Sequence, residues 1–122
     1  MAVRYCLDTN SAIYFLAGRL SEPLPEGEWL ISVITELELR SYSFATPGDA
    51  LRVAEFIGQI PVVDLTPEIK TLTIAMRREK KLKLPDAIVA ATADAAQAIL
   101  ITNDKQLAQE SGVRCMVPSL KT

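Results

Sequence analysis

Five short apolar runs, at 3–7, 29–33, 60–63, 98–102 and 113–117, alternate along the chain with segments of helical character. Apolar runs of this length suit strands buried on both faces. Their alternation with helices suits βαβ units, a parallel sheet and helices on both of its sides. Residues 10–17 place Ile13, Leu16 and Ala17 at helical spacing, and Gly18 stops them. Residues 35–42 continue as a helix. Another opens at Pro47-Gly48-Asp49, with Leu51, Val53, Ala54, Phe56 and Ile57 as its apolar set. Thr66-Pro67-Glu68 starts a helix that runs to about residue 81, with a hydroxyl cap, a proline at the first position and an acid in the first turn. Residues 85–95 form a very apolar helix and 105–109 a short one. Residues 21–28, with Pro23 and Pro25, read as a loop. No linker, repeat or low-complexity stretch interrupts the 122 residues, so 1–122 reads as a single α/β domain.

The residues that are missing narrow the chemistry. The chain has no histidine, which removes histidine acid–base catalysis, Ser-His-Asp triads and most catalytic zinc sites. Cys6 and Cys115 stand far apart, each in an apolar strand-like run. They read as two reduced, buried thiols of a cytoplasmic protein rather than a disulfide framework. No charged head precedes a long apolar segment at the N-terminus, so no signal peptide is expected. No run reaches the roughly 18–20 apolar residues of a membrane helix, and the most apolar stretch, 87–101, is broken by Asp94 and Gln97. Thirteen basic residues against fifteen acidic ones give a net charge of −2, which argues against nucleic-acid binding by bulk charge.

The acids fall where an α/β sheet builds its sites. Asp8 follows the first strand and Asp104 the fourth; Asp86 opens an apolar helix, and Glu38 lies on the helix after the second strand. Sites in open α/β sheets form at the carboxyl ends of strands, near the point where strand order reverses. Carboxylates gathered there repel one another unless a cation sits between them. With no histidine and no paired cysteine the donors are all oxygen, which selects hard ions such as Mg²⁺ or Mn²⁺. Each acid also has an ordinary structural use. Asp8 or Asn10 can cap the first helix, and Asn103 or Asp104 a later one. Thr35 and Glu38 have the spacing of a capping box, and Asp86 in a first turn suits the helix dipole.

Four segments, Leu7-Asp8-Thr9-Asn10, Ile34-Thr35-Glu36-Leu37-Glu38-Leu39, Leu84-Pro85-Asp86-Ala87-Ile88-Val89-Ala90-Ala91-Thr92-Ala93 and Ile101-Thr102-Asn103-Asp104, resemble the four motifs of the PIN-domain nucleases, and more closely those of the VapC-type toxins of bacterial toxin–antitoxin pairs. The match runs from Tyr5 to Leu107 in the family's order and spacing. It implies a three-layer α/β/α sandwich around a parallel sheet, and an endoribonuclease dependent on one or two Mg²⁺ or Mn²⁺ ions. By motif, the metal-site and catalytic acids would be Asp8, Glu38, Asp86 and Asp104, with Thr9, Asn10 and Asn103 as polar neighbours. The resemblance further implies hydrolysis leaving 3′-hydroxyl and 5′-phosphate ends, a homodimer, and a small cognate antitoxin seated in the site groove. The apolar residues Ile13, Tyr14, Phe15, Leu16, Leu37 and Leu39 are candidates to line that groove. One departure stands out: many relatives carry an acid and then an aromatic after the last aspartate, where this chain has Gln106 and Leu107.

Charge is unevenly spread. Arg77, Arg78, Lys80, Lys81 and Lys83 are five of the thirteen basic residues and run up to Asp86. They read either as a solvated helix end or as a phosphate-binding rim, of which Arg77, Lys80, Lys81 and Lys83 are the candidate RNA contacts, with Arg40 beside Glu38. The aromatic residues are scattered, so a stacking platform for single strands is not expected. Two other readings compete. Phosphotransfer folds also gather acids around Mg²⁺, but Asn10 stands where a phosphatase of that kind needs a second aspartate, and no acid pair precedes Asp8. A PIN-like module that binds protein or RNA without cutting is the other, and the intact set of four acids argues against it.

Overall fold

The computed structural model describes residues 2–43 and 46–122. Phe44, counted above among the scattered aromatics, lies outside the described residues. Five strands, β1 (Arg4–Leu7), β2 (Glu28–Ser32), β3 (Val62–Val63), β4 (Ile99–Ile101) and β5 (Cys115–Met116), form one sheet in the order β3-β2-β1-β4-β5. Every pairing is parallel, with Cys6 opposite Leu30 on one side and Leu100 on the other. Strand β1 is therefore central, and the order reverses beside it, between β1 and β4. The helices are α1 (Thr9–Leu16), α2 (Val33–Ser41), α3 (Pro47–Gln59), α4 (Pro67–Glu79), α5 (Leu84–Ala95) and α6 (Lys105–Glu110).

Side chains alternate across the sheet and feed two cores. Cys6, Leu30 and Leu100 face Ile69 and Met76 of α4, the alanine-rich α5 and Leu107 of α6. Tyr5, Leu7, Ile31 and Ile101 face Ala12 of α1, Leu39 of α2, and Val53 and Ile57 of α3. Helix α5 has seven consecutive buried residues, Ala87–Ala93. The four alanines of this run let the helix lie close on the sheet and on α4. The result is the three-layer sandwich expected.

Several local expectations change. The Thr35–Glu38 capping box does not form. Strand β2 ends a residue early, and the Ser32 side chain caps α2 by accepting the Ile34 amide at 3.1 Å, which leaves Thr35 inside the helix and buried. The edge strands β3 and β5 are two residues each, because an edge strand has a partner on one side only and its flanks leave the sheet. Helix α4 stops at Glu79, not residue 81. Cys6 is buried as expected, whereas Cys115 on the edge strand is half-buried; both are free thiols. Leu39 is wholly buried in the core, so it lines no groove, while Leu37 is 57% exposed. Among the described residues no helix is long and apolar enough to cross a membrane.

Candidate active site

The reversal of strand order brings the ends of β1 and β4 together. Leu7 pairs with Ile101, and the Asp8 amide donates to the Ile101 carbonyl at 3.1 Å. Asp8 and Asp104 leave those two strand ends and each caps a helix. Asp8 Oδ1 accepts the Ser11 amide at 2.8 Å, and Asp104 Oδ1 accepts the Leu107 amide at 3.1 Å. The capping and site readings of these acids are thus not exclusive, since a carboxylate has about four lone-pair sites and the caps use only one of them.

Thr102 joins the two acids. Its buried hydroxyl donates to Asp8 Oδ2 and accepts the Asp104 amide at 3.0 Å. This residue was not among those expected at the site. The signal was its place at the strand end, directly before Asn103-Asp104. Glu38 approaches from α2, where the Thr9 hydroxyl donates to its Oε1 at 2.5 Å, with Thr35 Oγ1 a further 3.3 Å from Thr9. Asp86 stands in the first turn of α5, half-buried, and among the described residues its carboxylate accepts no protein hydrogen bond. Asn103 Nδ2 is buried and has no protein partner among the described residues. Asn10 is exposed in the first turn of α1.

The electrostatics tie the four acids together. Burial raises the Asp8 carboxyl above the usual carboxylate range; the hydrogen bonds from Thr102 and Ser11 oppose that rise, and the charge of Asp104 adds to it. Burial also raises Asp86, followed by the charges of Asp104, Glu38 and Asp8, with Lys83 pulling the other way. Behind them the Cys6 thiol is pushed up to about 12 by burial and then by the Asp8 charge, so it stays protonated. The acids are within electrostatic range rather than in contact. Among the described residues no three acid or cysteine side chains are gathered closely enough to hold an ion as they stand. In kind, the set suits a hard divalent cation: oxygen donors only, unneutralised mutual repulsion, and in Asp86 a carboxylate with no competing protein donor.

The basic candidates divide. Arg77 Nη1 donates to the Leu82 carbonyl at 2.8 Å, and Arg40 pairs with Glu36 at 3.1 Å on the surface of α2. Lys81 and Lys83 are exposed on the segment between α4 and α5, and Lys80 is half-buried. Gln106, where the resemblance led to an acid, donates from Nε2 to the Lys81 carbonyl at 2.8 Å.

Comparison with known proteins gives the same picture. The family model described as PIN domain matches residues 5–111. The toxin–antitoxin complex from Klebsiella pneumoniae is similar at 30% identity, covering 85% of this chain and 90% of that one, with a TM-score of 0.67. The VapBC2 structure from Rickettsia felis, bound to a DNA fragment from its promoter, is similar at 18% identity and a TM-score of 0.79, covering 96% and 100%. DNA-bound VapBC from Salmonella typhimurium is similar at 23% identity and a TM-score of 0.78, covering 94% and 98%. No curated protein matches the chain. With 5–111 matched and the four acids standing around the strand-order reversal, the chain belongs to the PIN-domain family.

Proposed function

We propose that this protein is a metal-dependent endoribonuclease and the toxin of a toxin–antitoxin pair, with Asp8, Glu38, Asp86 and Asp104 as its catalytic and metal-binding acids. The observation that carries the reading is the coupling of these acids, from four separate segments, at the strand-order reversal. The similarity to the Klebsiella pneumoniae toxin–antitoxin complex supports the toxin role and an antitoxin partner; a homodimer and a cytoplasmic setting belong to the same proposal.

Each residue has a distinct task. Asp8 is a fixed carboxylate, held by Ser11 and Thr102. Asp104 is fixed through its cap on α6. Thr9 holds Glu38 at the rim. Asp86, half-buried in the first turn of α5 and within electrostatic range of the other three, completes the set. A bound Mg²⁺ or Mn²⁺ would supply water activation and stabilise charge on the scissile phosphate. Asn10 offers donors to water or to a phosphate oxygen, and Asn103 Nδ2 is a buried donor with no protein partner among the described residues. Lys81 and Lys83 offer backbone phosphates a basic rim in an otherwise acidic protein.

The test is incubation of purified protein, free of antitoxin, with total RNA in Mn²⁺ or Mg²⁺, with Asp86→Asn as control and new 5′-phosphate ends mapped by sequencing. A few sharp sites absent from the control are expected. No new ends from a sample shown by calorimetry to bind Mn²⁺ would replace this reading with the non-catalytic binding module.

A further inference from the structure

The segment between α4 and α5, residues 80–83, is fastened from three directions. Leu82 is 4% exposed and sits in the core with α4 and α5. Its carbonyl accepts Arg77 Nη1 of α4 at 2.8 Å. The neighbouring Lys81 carbonyl accepts Gln106 Nε2 of α6, also at 2.8 Å. Lys80 lies on the same side: its Nζ is 3.6 Å from the point a Cβ on Gly112 would occupy, in the turn after α6. Two successive carbonyls are thus held by donors from two different helices. The ends of the segment are tied into the adjoining helices: the Lys80 amide donates to the Met76 carbonyl, and the Lys83 carbonyl accepts the Ala87 amide of α5.

The consequence lies in what this segment joins. At its far end it runs through Lys83 into Asp86; at the Gln106 bond it meets α6, whose cap is Asp104. Gln106 is two residues from Asp104 in the first turn of α6, so its bond to Lys81 ties the basic rim to the acid centre. A carboxylate at 106 would face the Lys81 carbonyl as a second acceptor and could not make this bond.

We infer that Gln106 is a positioning residue: it clamps the 80–83 segment onto α6, as Arg77 clamps it onto α4, and so sets where Lys81 and Lys83 meet an anionic strand beside Asp86 and Asp104. The inference about the strand rests on the nuclease reading; the clamp itself does not. Gln106→Met keeps the length of the side chain and removes the donor, and Gln106→Glu sets an acceptor against a carbonyl.

Limited trypsin digestion of the full chain reads the clamp directly, because Lys81 and Lys83 are themselves cleavage sites. Loss of one net hydrogen bond predicts first cuts after these lysines roughly two- to tenfold faster in both variants. Cuts after Arg52 on α3, which report global opening, should keep the wild-type pace. On an RNA substrate both variants should raise KM severalfold with kcat nearly unchanged, which a merely structural loss would not do. Unchanged tryptic rates would overturn the clamp. Faster cutting with an unchanged KM would overturn its role in placing the lysines. Wild-type protein that cuts no RNA would sink the nuclease reading, and the tryptic rates alone would then decide the clamp.

Discussion

Thr102 and Asp8, 94 residues apart in sequence, share a buried hydrogen bond in which the threonine hydroxyl donates to the carboxylate. The same hydroxyl oxygen accepts the Asp104 amide. One side chain thus fixes the carboxylate at the end of β1 and the backbone that carries the next one. Thr102→Val keeps the shape and removes both bonds. It should cost about 1–3 kcal/mol in urea unfolding, the range for leaving buried polar groups unpaired, and should lower RNA cleavage. Thr102→Ser should recover most of both. A Val variant within about 0.5 kcal/mol of wild type would show that the bond contributes little.

Asp8 and Asp86 both hold their protons to higher pH in the fold than in the open chain. Between the ordinary carboxylate range and the raised values the folded state binds more protons, so stability falls as pH rises through that interval. Asp86→Asn removes one of these groups. It should melt higher than wild type at neutral pH, and the gap should close as pH drops below the ordinary carboxylate range. Thermal melts of the pair across acid pH read this. A gap that widens in acid would reverse the assigned direction.

A divalent cation should relieve the same repulsion. Mn²⁺ at about a hundredfold its dissociation constant adds roughly 2.7 kcal/mol to the stability of any protein that binds it only when folded. Wild type should therefore melt higher with Mn²⁺, and Asp86→Asn should not respond. Calorimetry supplies the stoichiometry. An equal response from both proteins would remove Asp86 from the ion's ligands.

Lysines that contact phosphates leave a signature in salt. Each phosphate contact to a single strand contributes a slope of about −0.7 in log K against log salt. Changing Lys80, Lys81 and Lys83 together to glutamine should flatten the slope for an RNA oligomer by about 1.4, from the two exposed lysines of the rim. Arg77→Gln should instead act through the 80–83 segment, since its guanidinium already serves the Leu82 carbonyl. An unchanged slope in the triple variant would remove the basic rim.

What could be read from the sequence followed from local pattern. The runs ending at Asp8 and Asn103 announced two buried strands, and a parallel sheet followed from the helices between them. The places of Asp8 and Asp104 at adjoining strand ends were legible for the same reason. The capping of α2 was not, because Ser32 and Thr35 are equally good caps and the choice depends on where β2 leaves the sheet. Leu37 and Leu39 were grouped together although residues two apart on a helix face different ways, and the structure separates them as exposed and buried. Gln106 could be read only as a lost acid, because its partner Lys81 lies 25 residues away.

Strand β1 is made first, yet its neighbour β4 lies some ninety residues downstream and Asp104 follows that. A chain released from the ribosome before this point has one flank of its central strand bare and one carboxylate missing from the cleft. On the proposed nuclease reading, such a fragment would lack one of the four acids, however well its first half folds. On the same reading, translation abandoned part-way would leave only fragments that lack this acid.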